Sequence, residues 1–194
     1  MNRSPRILLT GFGSFEVFDE NPTEVLAREL DAVSFAGGEL VSAVLPVSFQ
    51  RAPRELMDLV ERFQPSAVIC TGVHGDDGFR IEQGAGVELG PGRPDVDGVD
   101  AGELPPRSGE RLETRLDVDR LKDALEGSGV APVRVTPDAG RYVCERVYRT
   151  ALELCGEHPG MHGLFVHVPS FDRIERESQR RGLAALIDDV FAQL

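Results

Sequence analysis

Residues 133–168 read VRVTPDAGRYVCERVYRTALELCGEHPGMHGLFVHV, and this stretch decides the fold. Val133 to Thr136 is a short strand, and Asp138-Ala139-Gly140 is a turn. Tyr142 to Leu154 carries apolar residues at helical spacing. Leu164 to Val168 is again a brief apolar run, the mark of a buried strand. The alternation continues toward the N-terminus. Arg6 to Gly11 (RILLTG), Leu40 to Val47 and Ala67 to Gly72 read as strands. Between them lie a helix beginning at Asn21-Pro22, where proline's missing N–H costs nothing, and a helix over Arg51 to Phe63 ended by Pro65. Val118 to Leu125 and Arg181 to Leu194 complete the helices. Alternating strands and helices predict an α/β fold: one domain over residues 1–194, with a mostly parallel twisted sheet and helices on both faces.

Composition narrows the function. A 194-residue chain that is 41% hydrophobic holds enough apolar material for one rigid core. A net charge of −12 argues against nucleic acid, whose phosphates need Lys and Arg, and against an anionic membrane surface. No apolar run reaches membrane-spanning length, and Met1 to Arg6 is a short polar lead without a secretory core. Three widely separated cysteines form neither a disulfide framework nor a zinc-ligand spacing. These features predict a cytoplasmic protein in which a free thiolate can persist.

In open α/β sheets, active sites gather at the carboxyl ends of strands. Loops starting at Phe12, Val73, Pro137 and Pro169 all follow a strand and are expected to converge. Cys144 falls in the first turn of its helix, where free N–H groups and the helix dipole favour a thiolate. Cys70 and Cys155 have no such helix start and read as core residues. His167 lies in an apolar strand, where a buried imidazole must find a partner, and it is the candidate general base. His158 and His162 flank Pro159-Gly160, which breaks the helix a metal pair needs, and read as surface residues. The Gly-, Asp- and Pro-rich excursion from Val73 to Ser108 has only Phe79 to Leu89 as a candidate strand or hairpin, and few apolar anchors. It is expected to be functional and locally mobile, above all around Gly90 to Gly102.

Taken together, these segments resemble the pyroglutamyl peptidase type I, or pyrrolidone-carboxylate peptidase, family. ILLTGFGSF followed by Asn21-Pro22-Thr23 looks like the family's T-G-F-x-P-F…N-P-[ST] start. DAGRYVCERVY looks like its A-G-x-Y-x-C-N-x-x-Y motif, and GLFVHVP like its G-F-[IV]-H-V-P motif. The resemblance implies a Cys–His–Glu triad without metal or organic cofactor, acting on peptides with an N-terminal pyroglutamate, usually as a homotetramer. Carried over by motif, Cys144 is the nucleophile and His167 its base. Phe12 and Phe15 wall the pyrrolidone ring, Asn21 lies near that pocket, and Arg93 supports the oxyanion. The middle region departs from I-E-R-[VI]-A-[VI]-N: here Ile81-Glu82 is followed by Gln83-Gly84-Ala85-Gly86. Glu82 is the best match to the triad Glu, with Glu88 as competitor. Both would lie on one face of an extended strand, so alternation does not separate them. Two other readings stand beside this one: a non-catalytic relative acting as a binding or assembly module, and a cysteine amidase of altered acyl specificity.

The Cys144 reading makes a direct prediction. Limiting iodoacetamide labels Cys144 ahead of Cys70 and Cys155, and activity falls in proportion to that label. Peptide mapping that finds Cys70 modified first, with activity lost, reassigns the nucleophile.

Overall fold

The computed structural model describes residues 4–15 and 20–194. The start of the polar lead and residues 16–19 of the loop after Phe12 lie outside them. In chain order the elements are β1 (Arg6–Phe12), α1 (Pro22–Asp31), β2 (Glu39–Leu45), α2 (Arg51–Phe63), β3 (Ala67–His74) and β4 (Phe79–Ala85). There follow a 3-10 turn (Ala101–Glu103), β5 (Leu112–Glu113), α3 (Val118–Gly127), β6 (Val133–Asp138), α4 (Val143–Glu157), β7 (His162–Pro169) and α5 (Arg176–Gln193). The strands build one seven-stranded sheet in the order β2-β1-β3-β7-β4-β5, with β6 also pairing β4.

Pairing is parallel from β2 through β1 and β3 to β7, and again between β4 and β6. It turns antiparallel where β4 meets β7 and β5. The predicted α/β class therefore holds, with a mixed rather than wholly parallel sheet. The excursion after Val73 supplies the reason. Its one apolar segment is a central strand that enters the sheet between β7 and β6, and the two-residue β5 was not foreseen.

Side chains alternate across the sheet, which sorts the core into two layers. Ile7, Leu9, Ile69, Ile81, Leu164 and Val166 face the layer of α1, α3 and α5, through Leu26, Leu121 and Leu183 among others. Leu8, Val68, Cys70 and Phe165 face α2 and α4, through Leu56, Val60, Val143 and Val147. Helices cover both faces, as the short apolar strands require. By the same parity Glu82, next to Ile81, and His167, next to Val166, project toward the α4 face.

Backbone hydrogen bonds give the loop after β4 a defined path. It holds few apolar anchors, yet two aspartates organise its backbone. Asp95, 6% exposed, accepts the N–H of Phe49 through Oδ2 and those of Asp97 and Val99 through Oδ1. Asp100 accepts those of Gly92 and Gly102. Gly90 N–H reaches the Arg141 carbonyl at 2.7 Å, and Val96 N–H the Val47 carbonyl at 3.1 Å. Carboxylate-to-backbone bonds replace the missing hydrophobic anchors, so the segment is tied to the β2–α2 loop and to the turn before α4. Asp95→Ala leaves the buried Phe49 N–H without its acceptor. It is expected to lower stability by about 2–3 kcal/mol in denaturant unfolding and to speed hydrogen exchange at Val96 and Val99. Unchanged exchange there means the loop is held by other contacts.

Candidate active site

Four strand ends meet as expected. The cleft between them has a volume of about 530 Å³ and is lined by Phe12, Phe15, Asn21, Val73, His74, Arg93, Tyr142, Cys144 and His167, among others. Its chemistry starts at Gly140, whose φ of +89° puts it in the left-handed region that glycine tolerates. The chain turns there and enters α4 through Tyr142 as N-cap, so Cys144 is the second helical residue. Its N–H, like its neighbours', has no acceptor within the helix.

Gly72 of β3 lies directly beneath. A Cβ on Gly72 would stand 3.0 Å from Cys144 Sγ and 3.1 Å from His167 Cδ2. The thiol and the imidazole thus meet over a glycine, where a Cβ would force its neighbours to shift. His167, 6% exposed, pairs through Nδ1 with Glu82 Oε1 at 2.6 Å, and Glu82 is fully buried. The Thr136 hydroxyl donates to Glu82 Oε2 at 2.5 Å, and the Tyr148 hydroxyl donates to the Glu82 carbonyl at 2.9 Å. With Nδ1–H directed at the carboxylate, Nε2 is left to the thiol. Burial pushes the His167 pKa down, but hydrogen bonds to Cys144 and Glu82, reinforced by their charges, outweigh it and hold the pKa up, at about 9. Glu88 is not part of this set. β4 ends at Ala85, and the Glu88 carboxylate pairs on the outside with Arg141 at 3.3 Å.

The remaining thiols are placed as expected. Burial pushes Cys70 up to about 12 and Cys155 up to about 11. Neither is poised as a nucleophile.

The predicted pocket residues separate into two kinds. Phe15 stacks on Tyr142 with ring centroids 5.8 Å apart, and the Arg93 guanidinium lies over both rings, 5.3 Å from Phe15 and 4.5 Å from Tyr142. Phe12 is buried, and its N–H donates to Thr23 Oγ1. Asn21 borders the cleft, yet its polar atoms are engaged in folding. Oδ1 caps α1 by accepting from Thr23 N–H and hydroxyl, and Nδ2 donates to the Gly13 carbonyl. Sequence reasoning did not single out Tyr142, Thr136 or His74. Tyr142 stood inside the Cys144 motif; Thr136 and His74 carried no local signal. His74 meets the His167 ring edge-on at 5.8 Å. It donates from Nε2 to the Gly78 carbonyl and accepts the Asp76 N–H at Nδ1. Burial first, then the nearby His167 and Arg80 charges, lower its pKa to about 4. His74 is therefore a neutral wall with both nitrogens committed. Among the described residues, no group of three or more His, Cys, Asp or Glu is arranged to hold a metal ion, and no helix is long and apolar enough to cross a membrane.

Known proteins share this architecture. The family model described as pyroglutamyl peptidase matches residues 5–187. A pyrrolidone-carboxylate peptidase of Coprothermobacter proteolyticus is 32% identical over 171 residues, covering 84% of this chain and 81% of that relative. One of Oceanobacillus iheyensis is 28% identical over 172 residues, covering 87% and 86%. Among solved structures, a mutant pyrrolidone carboxyl peptidase from P. furiosus aligns with a TM-score of 0.87 at 25% identity, covering 97% of this chain and 98% of that one. The match to the family model spans nearly the whole chain, and the chain belongs to the pyroglutamyl peptidase family.

Proposed function

We propose that this protein is a cysteine exopeptidase that removes N-terminal L-pyroglutamate from peptides, the whole chain acting as one peptidase domain. The observation that carries the reading is the buried Glu82–His167 pair beside Cys144, at the foot of a cleft walled by Phe12, Phe15 and Tyr142. In this reading His167 takes the Cys144 proton, and Sγ attacks the pyroglutamyl carbonyl carbon. The oxyanion is stabilised by backbone N–H at the start of α4, with Arg93 near the developing charge. Collapse breaks the C–N bond, and His167 protonates the departing amine. Water, giving its proton to His167, then hydrolyses the thioester; pyroglutamate leaves and the thiol regains its proton. Glu82 holds the imidazole tautomer and balances its cation.

The pyrrolidone ring is flat and uncharged, which suits aromatic walls. A peptide beginning with free Glu or Gln brings an ammonium group that such a pocket desolvates without a partner, and it is excluded. Assembly as a homotetramer, which rests on the family resemblance, and action in the cytoplasm, which rests on the cysteine pattern, belong to this proposal.

One assay tests the reading: the purified protein against fluorogenic pyroglutamyl, prolyl and alanyl amides. Cleavage of the pyroglutamyl amide alone is expected. Cleavage of another acyl group points to an amidase of altered specificity, and cleavage of none to a binding module. The third member of the triad has its own test. Glu82→Gln is expected to lower kcat by roughly tenfold to a thousandfold with KM little changed, since orienting residues leave residual activity, while Glu88→Gln is nearly silent. The reverse pattern makes Glu88 the third member, and silence of both leaves a Cys–His dyad.

A further inference from the structure

Glu145 directly follows Cys144 and is the third residue of α4, yet it is only 3% exposed. An acidic residue in the first turn is favoured by the helix dipole without any burial. Here the side chain turns back from the helix and accepts two backbone N–H groups from separate segments. Oε2 accepts from Ala139 at 2.9 Å, and Oε1 from Gly86 at 2.5 Å. Ala139 lies in the turn that delivers Cys144. Gly86 is the first residue beyond β4, the strand that carries Glu82.

We propose that Glu145 is a positioning residue: as a carboxylate it clamps the end of β4 to the turn before α4, and so sets Cys144 against the Glu82–His167 pair. The inference rests on the triad reading above. Both partners of Glu145 are donors, so the clamp needs acceptance at both oxygens. A carboxylate provides that; a carboxylic acid or an amide turns hydrogen toward one of the two N–H groups. The clamp is therefore a device that closes on ionisation.

The surroundings raise that ionisation toward neutrality. Burial is the main cause, and the charges of Asp138 in the turn and Glu82 on β4 add to it; the two backbone bonds oppose it, and the pKa is held up to about 7. From α4, Arg146 and Arg149 border the same small gap, as does Arg107 from the loop after β4. Arg149 is committed to Glu153 and the Glu110 carbonyl, and Arg107 to Glu153. Glu88 and Arg141 pair with each other on the outer side of the turn.

Above about pH 7 the carboxylate is ionised and the clamp is closed; below it the clamp opens. Because the folded state holds this proton more tightly than the unfolded chain, acidification through that range adds stability at this site. Activity and stability thus move in opposite directions, which a merely structural carboxylate does not produce.

The experiment compares the unmodified protein with Glu145→Gln and Glu145→Asn. It measures kcat and KM on the pyroglutamyl amide, the rate of Cys144 alkylation by iodoacetamide, and thermal unfolding, all from about pH 5.5 to about pH 9. The expected result for Gln is a kcat lowered roughly tenfold or more above neutrality with KM within about twofold. The inflection near neutrality disappears from the kcat and alkylation profiles, and Tm is not lowered. The proposal is overturned if Gln keeps the inflection or the full kcat, or loses kcat only in step with Tm. It is equally overturned if neither variant unfolds cooperatively, because Glu145 is then a fold-stability residue. If the unmodified protein cleaves no pyroglutamyl amide, the functional reading fails, and the alkylation profiles still decide the clamp.

Discussion

A carboxylate with no exposure facing an imidazole across two strands is the constraint on which the rest of this structure depends. Burying a charge costs several kcal/mol unless its oxygens find donors, and breaking such a pair by removing one partner costs about 3–5 kcal/mol. Glu82 meets this demand with His167 on one side and Thr136 on the other. Those partners sit on β7 and β6, so β4 must lie between them. β4 and β6, which run together against the direction of β7, are the structural form of that requirement.

Parity then divides labour between the faces. One face of the sheet packs a hydrocarbon core against α1, α3 and α5. The other presents His167 and Glu82 beneath the start of α4, beside Phe165, whose ring lies 4.8 Å from the imidazole. The apolar neighbours keep water from the pair and strengthen its electrostatics. Gly72 permits the closeness; a Cβ there would press on the sulfur and on both rings.

Backbone N–H groups, rather than apolar contacts, hold the periphery of the site. Asp95, Asp100 and Glu145 each accept two or more backbone N–H groups from loops and turns around the site, and Asn21 caps α1. This is how a Gly- and Asp-rich loop with few hydrophobic residues keeps a defined path. It also places Arg93 over Tyr142, whose hydroxyl donates to the Pro94 carbonyl.

The amino-acid sequence by itself determined the α/β class, most of the strands and helices, the helix start under Cys144, and His167 as a buried imidazole needing a partner. These are local facts, written in periodicity, turn residues and the cost of an unpaired polar group. The motif resemblance added Phe12, Phe15 and Arg93, which line the cleft, and Asn21, whose side chain proves to be a helix cap. Only the tertiary structure sets Glu82, and not Glu88, against His167. They are separated by where β4 ends, and β4 ends where its partners in the sheet do. Nor was the clamp at Glu145 visible in the chain. Its two donors are six residues and fifty-nine residues away in sequence, and no local pattern encodes a contact that exists only once the sheet has closed around it.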